Sequence, residues 1–197
     1  MEIFVTDDLF DESALVAPAL GTASIDTSAP IEFAASPFVV LRDQREKAPW
    51  GFHGIYGKGR DKNKLVLVRT EYDHLPTGDY TIDVAKDRVA IERKSLEDLY
   101  GTIGQHRERF ERELERLNAL QFSAVIVEAN LDDVVLRPPH RSRLNPIAAY
   151  QSIIAWQVRY RNVPWCFCGN RRLAEITCWN FLRRFYLDQI AKGEVSP

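Results

Sequence analysis

Residues 78–98 read GDYTIDVAKDRVAIERKSLED, and this stretch sets the expected fold. Its apolar and β-branched residues predict two strands, at 81–85 and 88–94, joined by a tight turn. Ser95 can cap the first turn of a helix, and Asp98 holds the reciprocal position of a capping box. The stretch therefore predicts two paired strands that run directly into a helix.

The patterns on either side of this unit complete a mixed α/β domain. Short apolar runs predict further strands, and asparagines placed before helical patterns predict helix starts. The predicted elements are strands at 38–41, 65–68, 124–127 and 164–168, one helix from Ser95 through Leu120, a helix from Asn145 to about Arg161, and a helix from Asn170 to about Lys192.

The composition excludes several classes of protein. The chain has 197 residues, of which 45% are hydrophobic, and this is enough for one domain with a buried core. No apolar run approaches the roughly 20 residues that span a bilayer, so no membrane association is expected. The N-terminus shows no secretory signal pattern, and the chain has three cysteines. Both features predict an intracellular protein, cytoplasmic in a prokaryote or a virus-infected cell and nuclear in a eukaryote.

Charge is distributed unevenly along the chain. Residues 1–41 contain seven acidic side chains and no Lys or Arg, whereas residues 137–197 contain ten basic side chains and three acidic ones. This asymmetry is compatible with a basic surface that binds a polyanion. It is equally compatible with two solvated surfaces of opposite charge that bind nothing. We predict a flexible acidic leader at 1–36, a folded domain at 37–192 and a short tail at 193–197.

Several familiar catalytic motifs do not occur in the sequence. There is no G-x-x-x-x-G-K-[ST] phosphate loop and no G-x-S-x-G nucleophile elbow, and the four histidines are scattered. Cys166 and Cys168 alternate on a predicted strand, with Cys178 nearby in sequence, and we expect them to be buried structural thiols rather than zinc ligands.

The acidic residues around the paired strands are more informative. Because side chains alternate along a strand, Glu92 and Lys94 share one face, and Asp79 can lie opposite them at the start of the neighbouring strand. Two carboxylates beside a lysine can bind Mg²⁺ or Mn²⁺, and this arrangement is what metal-assisted hydrolysis of a phosphodiester needs. Each of these residues also has a simpler interpretation when it is taken singly. Asp79 is a common type of turn residue, and Glu92 with Lys94 can form a solvated ion pair. Asp98 can serve only to cap the helix.

The ordered set of motifs resembles a known family. Residues 41–46 (LRDQRE), 78–80 (GDY) and 92–98 (ERKSLED) are similar to the nuclease domain of the XPF family of structure-selective endonucleases, within the PD-(D/E)XK superfamily. The family signature is GD, a short gap, ERK, three residues and D, and an upstream D-x-R-E also fits. The similarity extends from about Phe38 to about Tyr186, and it implies a restriction-endonuclease-like mixed sheet flanked by helices.

The resemblance also implies roles for individual residues. It implies that Asp79 and Glu92 bind the metal ion, that Asp43 lies close to them, and that Lys94 assists catalysis. Four further side chains fall on active-site positions of the family: Arg45, Glu46, Arg93 and Asp98. The long helix that follows is expected to carry Arg107 and Arg109 past the DNA, although acids alternate with them and a solvated helix face is equally compatible.

The function expected from the resemblance is that of a Mg²⁺- or Mn²⁺-dependent endodeoxyribonuclease. It would hydrolyse phosphodiester bonds in branched or flapped DNA during repair or recombination. The family pairs nuclease domains into dimers, so the resemblance implies a homodimer or heterodimer, with the helices at 146–162 and 171–190 as candidate surfaces. The alternative for both helices is that they pack on their own sheet. Tandem helix-hairpin-helix motifs, which family members commonly carry after the nuclease domain, are not seen before Pro197. We therefore expect either a minimal nuclease, or DNA binding through a partner or through the basic C-terminal third. The alternative is a catalytically inactive scaffold on the same fold that binds DNA or a partner.

Overall fold

The computed structural model of the chain describes residues 31–196, and most of the predicted leader lies outside this range. The strands are β1 (Phe33–Ala35), β2 (Val40–Asp43), β3 (Leu65–Leu67), β4 (Thr70–Asp73), β5 (Tyr80–Ile82), β6 (Val89–Lys94), β7 (Phe122–Val127) and β8 (Trp165–Phe167). The helices are α1 (Leu96–Gly104), α2 (Arg107–Asn118), α3 (Asp133–Leu136), α4 (Pro146–Arg159) and α5 (Arg171–Ala191), with short 3₁₀ turns at Gly59–Asp61 and Asp83–Ala85.

Six of these strands form one mixed sheet in the order β4-β2-β5-β6-β7-β8. Strand β5 is antiparallel to both of its neighbours, β2 and β6, whereas β2 with β4, β6 with β7, and β7 with β8 are parallel. The ends of β2, β6 and β7 therefore meet the beginning of β5 at one edge of the sheet. The remaining strands, β1 and β3, form a separate parallel pair.

Helices cover both faces of the sheet. On one face, α5 packs its buried residues Cys178, Leu182 and Phe185 against a core that includes Val89 and Ile91 of β6. The opposite face packs against α1, α2 and α4, and Ala90 belongs to that second core. The predicted alternation of β6 side chains between the two faces is confirmed. The buried apolar side chains on both faces supply the main stabilisation, at roughly 25 cal/mol per Å² of apolar surface removed from water.

The helix predicted from Ser95 through Leu120 is wrong in one respect, because the chain breaks it into α1 and α2. The break lies at Gln105 and His106, whose amide groups both donate to the Gly101 carbonyl. Gly101 and Gly104 weaken the helix at this point, since glycine is about 1 kcal/mol less favourable than alanine in a helix. After the break, Phe110 of α2 packs edge-on against Trp156 of α4.

Other differences concern short elements with weak sequence patterns. Strand β1 lies inside the segment assigned to the leader, and β4 is a polar edge strand that the sequence does not indicate. All three cysteines are free thiols, and Cys168 and Cys178 are buried as expected, whereas Cys166 is only partly buried. Burial raises the pKa of the fully buried Cys178 thiol well above its usual value. In the part of the chain that the structure describes, no helix has both the length and the apolar character to cross a membrane.

Candidate active site at the edge of the sheet

The edge where β5 begins and β6 ends brings together Asp79, Glu92 and Lys94. The Asp79 amide donates to the Ile91 carbonyl at 2.8 Å, so the residue is fixed against β6 by its backbone. Asp79 Oδ2 accepts from the Arg93 amide at 2.7 Å, and Glu92 Oε1 accepts from Lys94 Nζ at 2.5 Å. Glu92 and Lys94 project from the same face of β6, as the alternation predicts.

Gly78 allows the chain to deliver Asp79 to this position. Its φ is +69°, a conformation that L residues rarely adopt. A Cβ at this position would lie 2.9 Å from Ala90 Cβ and 3.1 Å from the Ile91 carbonyl oxygen. The glycine of the GD motif is therefore required both by its backbone angle and by the close approach to β6.

We expect Gly78→Ala to lower the free energy of unfolding by about 1–3 kcal/mol, because the backbone is strained and the new methyl group overlaps β6. Urea denaturation measures the change. Gly101→Ala is the matched control, since a Cβ there meets nothing within 4 Å and the position is helical. Equal stability of Gly78→Ala and the wild type would contradict this account.

Burial and charge shift the ionisation of all three groups. Burial raises the pKa of Asp79 well above its ordinary value, and the negative charge of Glu92 raises it further against the opposing effect of Lys94. Burial likewise raises the pKa of Glu92, while Lys94 lowers it. Burial alone would lower the pKa of Lys94, but the carboxylates of Glu92 and Asp79 raise it, so the ammonium stays charged.

The donor set fits a magnesium-type cation. Within residues 31–196, no group of three or more His, Cys, Asp or Glu side chains is arranged as a metal cage. Mg²⁺ ordinarily needs fewer protein ligands, because it keeps several waters and binds through one or two carboxylates plus substrate phosphate. Asp79 and Glu92 supply two such hard oxygen donors, and a divalent cation would relieve the repulsion between them.

Asp43 lies beside this pair but is engaged elsewhere. Its Oδ1 accepts from Arg45 N and Nε at 2.8 and 2.7 Å, and its Oδ2 accepts from Arg45 Nη2 and the Leu75 amide, both at 2.9 Å. Burial would raise the pKa of Asp43, but these hydrogen bonds hold it below the usual range. All four acceptor positions of the carboxylate are filled, so direct metal ligation by Asp43 would require one of these bonds to open.

Arg93 projects from the opposite face of β6 from Glu92, and it contacts Glu46, whose negative charge also raises the pKa of both Asp79 and Glu92. Arg93 donates to both oxygens of Glu128 at 2.8 Å and to Glu46 Oε1 at 3.3 Å. Glu128 also accepts from Trp50 Nε1 at 2.7 Å and from Arg171 Nη1 at 3.0 Å. These side chains form an ion-pair network behind the strand that carries Glu92 and Lys94.

The sequence prediction includes Arg93 and Glu46 but misses Glu128, Trp50 and Arg171. One signal for Glu128 is present in the sequence. It directly follows a buried strand that is parallel to β6, so its side chain lies at the same edge of the sheet. Arg171 begins α5, and the contacts that bring it to Glu128 span 43 residues of sequence, which no local pattern can indicate.

Asp98 occupies the predicted capping position. The Ser95 hydroxyl accepts from the Asp98 amide at 3.1 Å, and it donates to Asp98 Oδ2 at 2.8 Å. The Asp98 charge also contributes to the raised pKa of Lys94, although less than Glu92 and Asp79 do. Asp98 therefore orients the capping hydroxyl of Ser95 and is also a neighbour of the candidate catalytic lysine.

Glu113 of α2 is a further residue at this edge that the sequence prediction misses. Its Oε1 accepts from the Thr77 hydroxyl at 2.5 Å and from the Gly78 amide at 2.8 Å. Its negative charge adds to the effect of burial in raising the pKa of Glu92. In the sequence Glu113 is one of many charged residues on a helix, so nothing distinguishes it from a solvated face.

The two arginines expected to face DNA differ in their surroundings. Arg107 donates to the Ser152 hydroxyl at 2.9 Å, pairs with Glu111 at 3.1 Å and stacks over the Trp156 ring, so it joins α2 to α4. Arg109 is exposed and lines an open cleft at the start of α2. The cleft is also lined by Gly104, Gln105, His106, Arg107, Glu108 and Arg112.

Known proteins share both the sequence pattern and the fold. The sequence model of the ERCC4 domain matches residues 43–178. The structure of XPF from Aeropyrum pernix superposes with a TM-score of 0.53 at 20% identity, covering 79% of this chain and 68% of that one. The same protein in complex with DNA gives a TM-score of 0.51 at 20% identity, covering 77% and 66%. Curated protein sequences give no significant match. The predicted fold class and the predicted resemblance to the XPF nuclease domain are confirmed.

Proposed function

We propose, from the premise that this chain belongs to the ERCC4 domain family, that it is a divalent-metal-dependent endonuclease acting on DNA. The observation that carries the proposal is the convergence of Asp79, Glu92 and Lys94 at one edge of the sheet. A metal-assisted phosphodiester hydrolase needs two oxygen ligands and a nearby cationic side chain, and these three residues supply both.

Each residue of the site has a chemical part in this proposal. Asp79 and Glu92 would hold Mg²⁺ or Mn²⁺, which supplies a water of lowered pKa and neutralises charge on the phosphate when bound. Lys94 keeps its proton beside Glu92, so its ammonium can orient the attacking water or stabilise negative charge that develops on the phosphate oxygens. Arg93, Glu46 and Glu128 would fix β6 from its opposite face.

The proposed substrate is branched or flapped DNA, and the proposed setting is repair or recombination. Family membership supports this substrate class, as does the likeness in fold to XPF from Aeropyrum pernix in complex with DNA. The exposed Arg109 and Arg112 of α2, together with the excess of basic residues in 137–197, provide cationic side chains for a phosphate backbone. We also propose the intracellular location that the sequence predicts.

We further propose that the domain pairs with a second nuclease domain through α4. This helix buries Ala149 and Trp156 against its own sheet but leaves Ile147, Ile154 and Val158 exposed by 51%, 40% and 62%. The three exposed side chains recur at i, i+7 and i+11, which places them on one stripe of the helix. Helix α5 is the weaker candidate, because its apolar residues pack on the sheet.

The proposal is tested by metal-dependent cleavage of end-labelled DNA. We expect the wild-type chain to cut a 3′-flap or fork substrate in Mg²⁺ or Mn²⁺ and to be inactive in a chelator. Single-stranded and plain duplex DNA are the comparison substrates. Asp79→Ala and Lys94→Ala are the control proteins, and both should lose cleavage while still binding DNA.

The result that would overturn the proposal is equal DNA binding by wild type and both variants with no cleavage by any of them. That result would favour the inactive scaffold as the function of this fold. Cleavage that persists in both variants would place the active site elsewhere on the molecule.

A further inference from the structure

Glu113 reaches from the helical layer to the loop that delivers Asp79. One oxygen, Oε1, accepts two hydrogen bonds from consecutive residues of that loop, from the Thr77 hydroxyl at 2.5 Å and the Gly78 amide at 2.8 Å. Both donors lie 35 and 36 residues away in sequence. The contact therefore joins two parts of the fold that approach each other only in the tertiary structure.

The loop held by Glu113 has a demanding geometry. Gly78 has a positive φ, and the next residue must place its backbone against Ile91 and its carboxylate beside Glu92. A donor–acceptor contact directly before such a residue limits how far its backbone can rotate. The charge-assisted bond from the Gly78 amide is also stronger than a bond between neutral groups.

Glu113 is itself held in place. Arg116, one turn further along α2, forms an ion pair with its second oxygen, Oε2. The side chain of Glu113 is 18% exposed, so it is largely shielded from water. Oε1 is thus directed to the loop and Oε2 to Arg116, and the carboxylate has a defined orientation.

We propose that Glu113 is a positioning residue that fixes the Thr77–Gly78 loop so that Asp79 and Glu92 converge on one divalent cation. The inference rests on the proposed function, since it assigns to Glu113 a part in forming the same metal site. Glu113 acts through the loop and not as a ligand, because its Oε1 is occupied by loop donors and its Oε2 by Arg116.

Two substitutions separate the hydrogen bonds of Glu113 from its charge. Glu113→Gln keeps the length of the side chain and an acceptor oxygen, but removes the negative charge. Glu113→Asp keeps the charge but is one methylene shorter, so it cannot reach both loop donors. Glu115→Gln is the matched control, since Glu115 is exposed on the same helix.

Calorimetric titration of each full-length variant with Mn²⁺ gives the first readout, and cleavage of the preferred DNA gives the second. If Glu113 positions the loop, Glu115→Gln should bind Mn²⁺ within about threefold of wild type. Glu113→Gln keeps an acceptor for both loop donors but loses the charge-assisted bond and the Arg116 pair, so it should bind within about fivefold. Glu113→Asp should bind about 10–100-fold more weakly, as is usual when an outer-shell contact of a metal site is lost. Circular dichroism and thermal unfolding confirm that each variant is folded.

The opposite pattern would overturn the inference. Wild-type affinity in Glu113→Asp together with a large loss in Glu113→Gln would show that the charge matters and not the hydrogen bonds. Wild-type affinity in both would show that the loop is fixed without Glu113. Failure of the proposed function would be seen in the wild-type chain itself, which would then neither bind Mn²⁺ nor cleave DNA. That result would also overturn the inference about Glu113.

Discussion

Asp79→Asn is expected to abolish metal-dependent cleavage while the protein remains folded. The amide oxygen of asparagine can still accept the hydrogen bond from the Arg93 backbone that Asp79 Oδ2 accepts at 2.7 Å. The variant loses the negative charge that a divalent cation requires. A bound metal contributes several kcal/mol to the transition state, and each ~1.4 kcal/mol is a factor of ten, so we expect a loss of at least about three orders of magnitude in rate.

The same substitution should stabilise the protein in the absence of metal. The folded-state pKa of Asp79 is raised, mainly by burial and then by Glu92, so the folded state binds the proton more tightly than the unfolded chain does. The favourable contribution of such a group is complete below its unfolded pKa and is lost as the pH rises through its folded pKa. Wild type therefore carries a cost at neutral pH that Asp79→Asn avoids.

Chemical denaturation in a chelator, from about pH 4 to about pH 8, measures this difference. We expect the variant to gain stability relative to wild type as the pH rises, and the two proteins to converge near the ordinary pKa of aspartic acid. Adding Mn²⁺ should reverse the order, because only wild type gains stability from binding the ion. A variant that is less stable than wild type at every pH would show that Asp79 is a structural residue.

Lys94→Met is expected to reduce both stability and cleavage. Glu92 and Lys94 are 9% and 13% exposed and are joined at 2.5 Å, so removing the ammonium leaves a buried carboxylate without its partner. Breaking a buried pair in this way costs about 3–5 kcal/mol. The Lys94 ammonium also lies 4.8 Å from the centre of the Phe110 ring, and methionine keeps an unbranched side chain whose sulfur packs favourably near aromatic rings, so packing is largely preserved. Cleavage should fall by about 10²–10⁴-fold if Lys94 serves as an acid–base or charge-stabilising group.

The double variant Glu92→Gln/Lys94→Met separates the two effects. It removes the unpaired charge, so it should recover most of the lost stability without recovering cleavage. The destabilisation of Lys94→Met should also shrink at acid pH, because burial already raises the pKa of Glu92 and the protonated carboxyl needs no partner. If Lys94→Met unfolds at the same urea concentration as wild type at neutral pH, the pair does not carry the stability assigned to it.

Much of the architecture follows from local patterns. The alternation along 88–94 correctly divides Val89 and Ile91 from Ala90, because side chains repeat every two residues along a strand and so have only two faces to occupy. Ser95 and Asn145 cap the helices that they were expected to begin, since a side-chain oxygen placed before a helix satisfies its first amide groups. The same alternation predicts that Glu92 and Lys94 share a face.

Long-range contacts set the limit of what the sequence predicts. One of the hydrogen bonds to the Asp43 carboxylate comes from the Leu75 amide, 32 residues away in sequence. The D-x-R-E motif gives no indication of this contact. Glu113 resembles any other acid on a charged helix until the fold brings it to Gly78. The break between α1 and α2 also depends on tertiary packing, because the apolar spacing continues through it while Phe110 finds its partners on α4.

The two faces of strand β6 take part in two different sets of contacts. Glu92 and Lys94 belong to the candidate active site, whereas Arg93 between them belongs to the ion-pair network with Glu128 on the other side. Because side chains alternate, a shift of one residue in the register of β6 would exchange the side chains on its two faces. A one-residue shift in the register of β6 would place the Arg93 guanidinium beside Asp79, and it would turn the Glu92 carboxylate and the Lys94 ammonium towards Glu128. The 83–88 connection of this chain therefore has to keep β6 in its present register for Glu92 and Lys94 to remain beside Asp79.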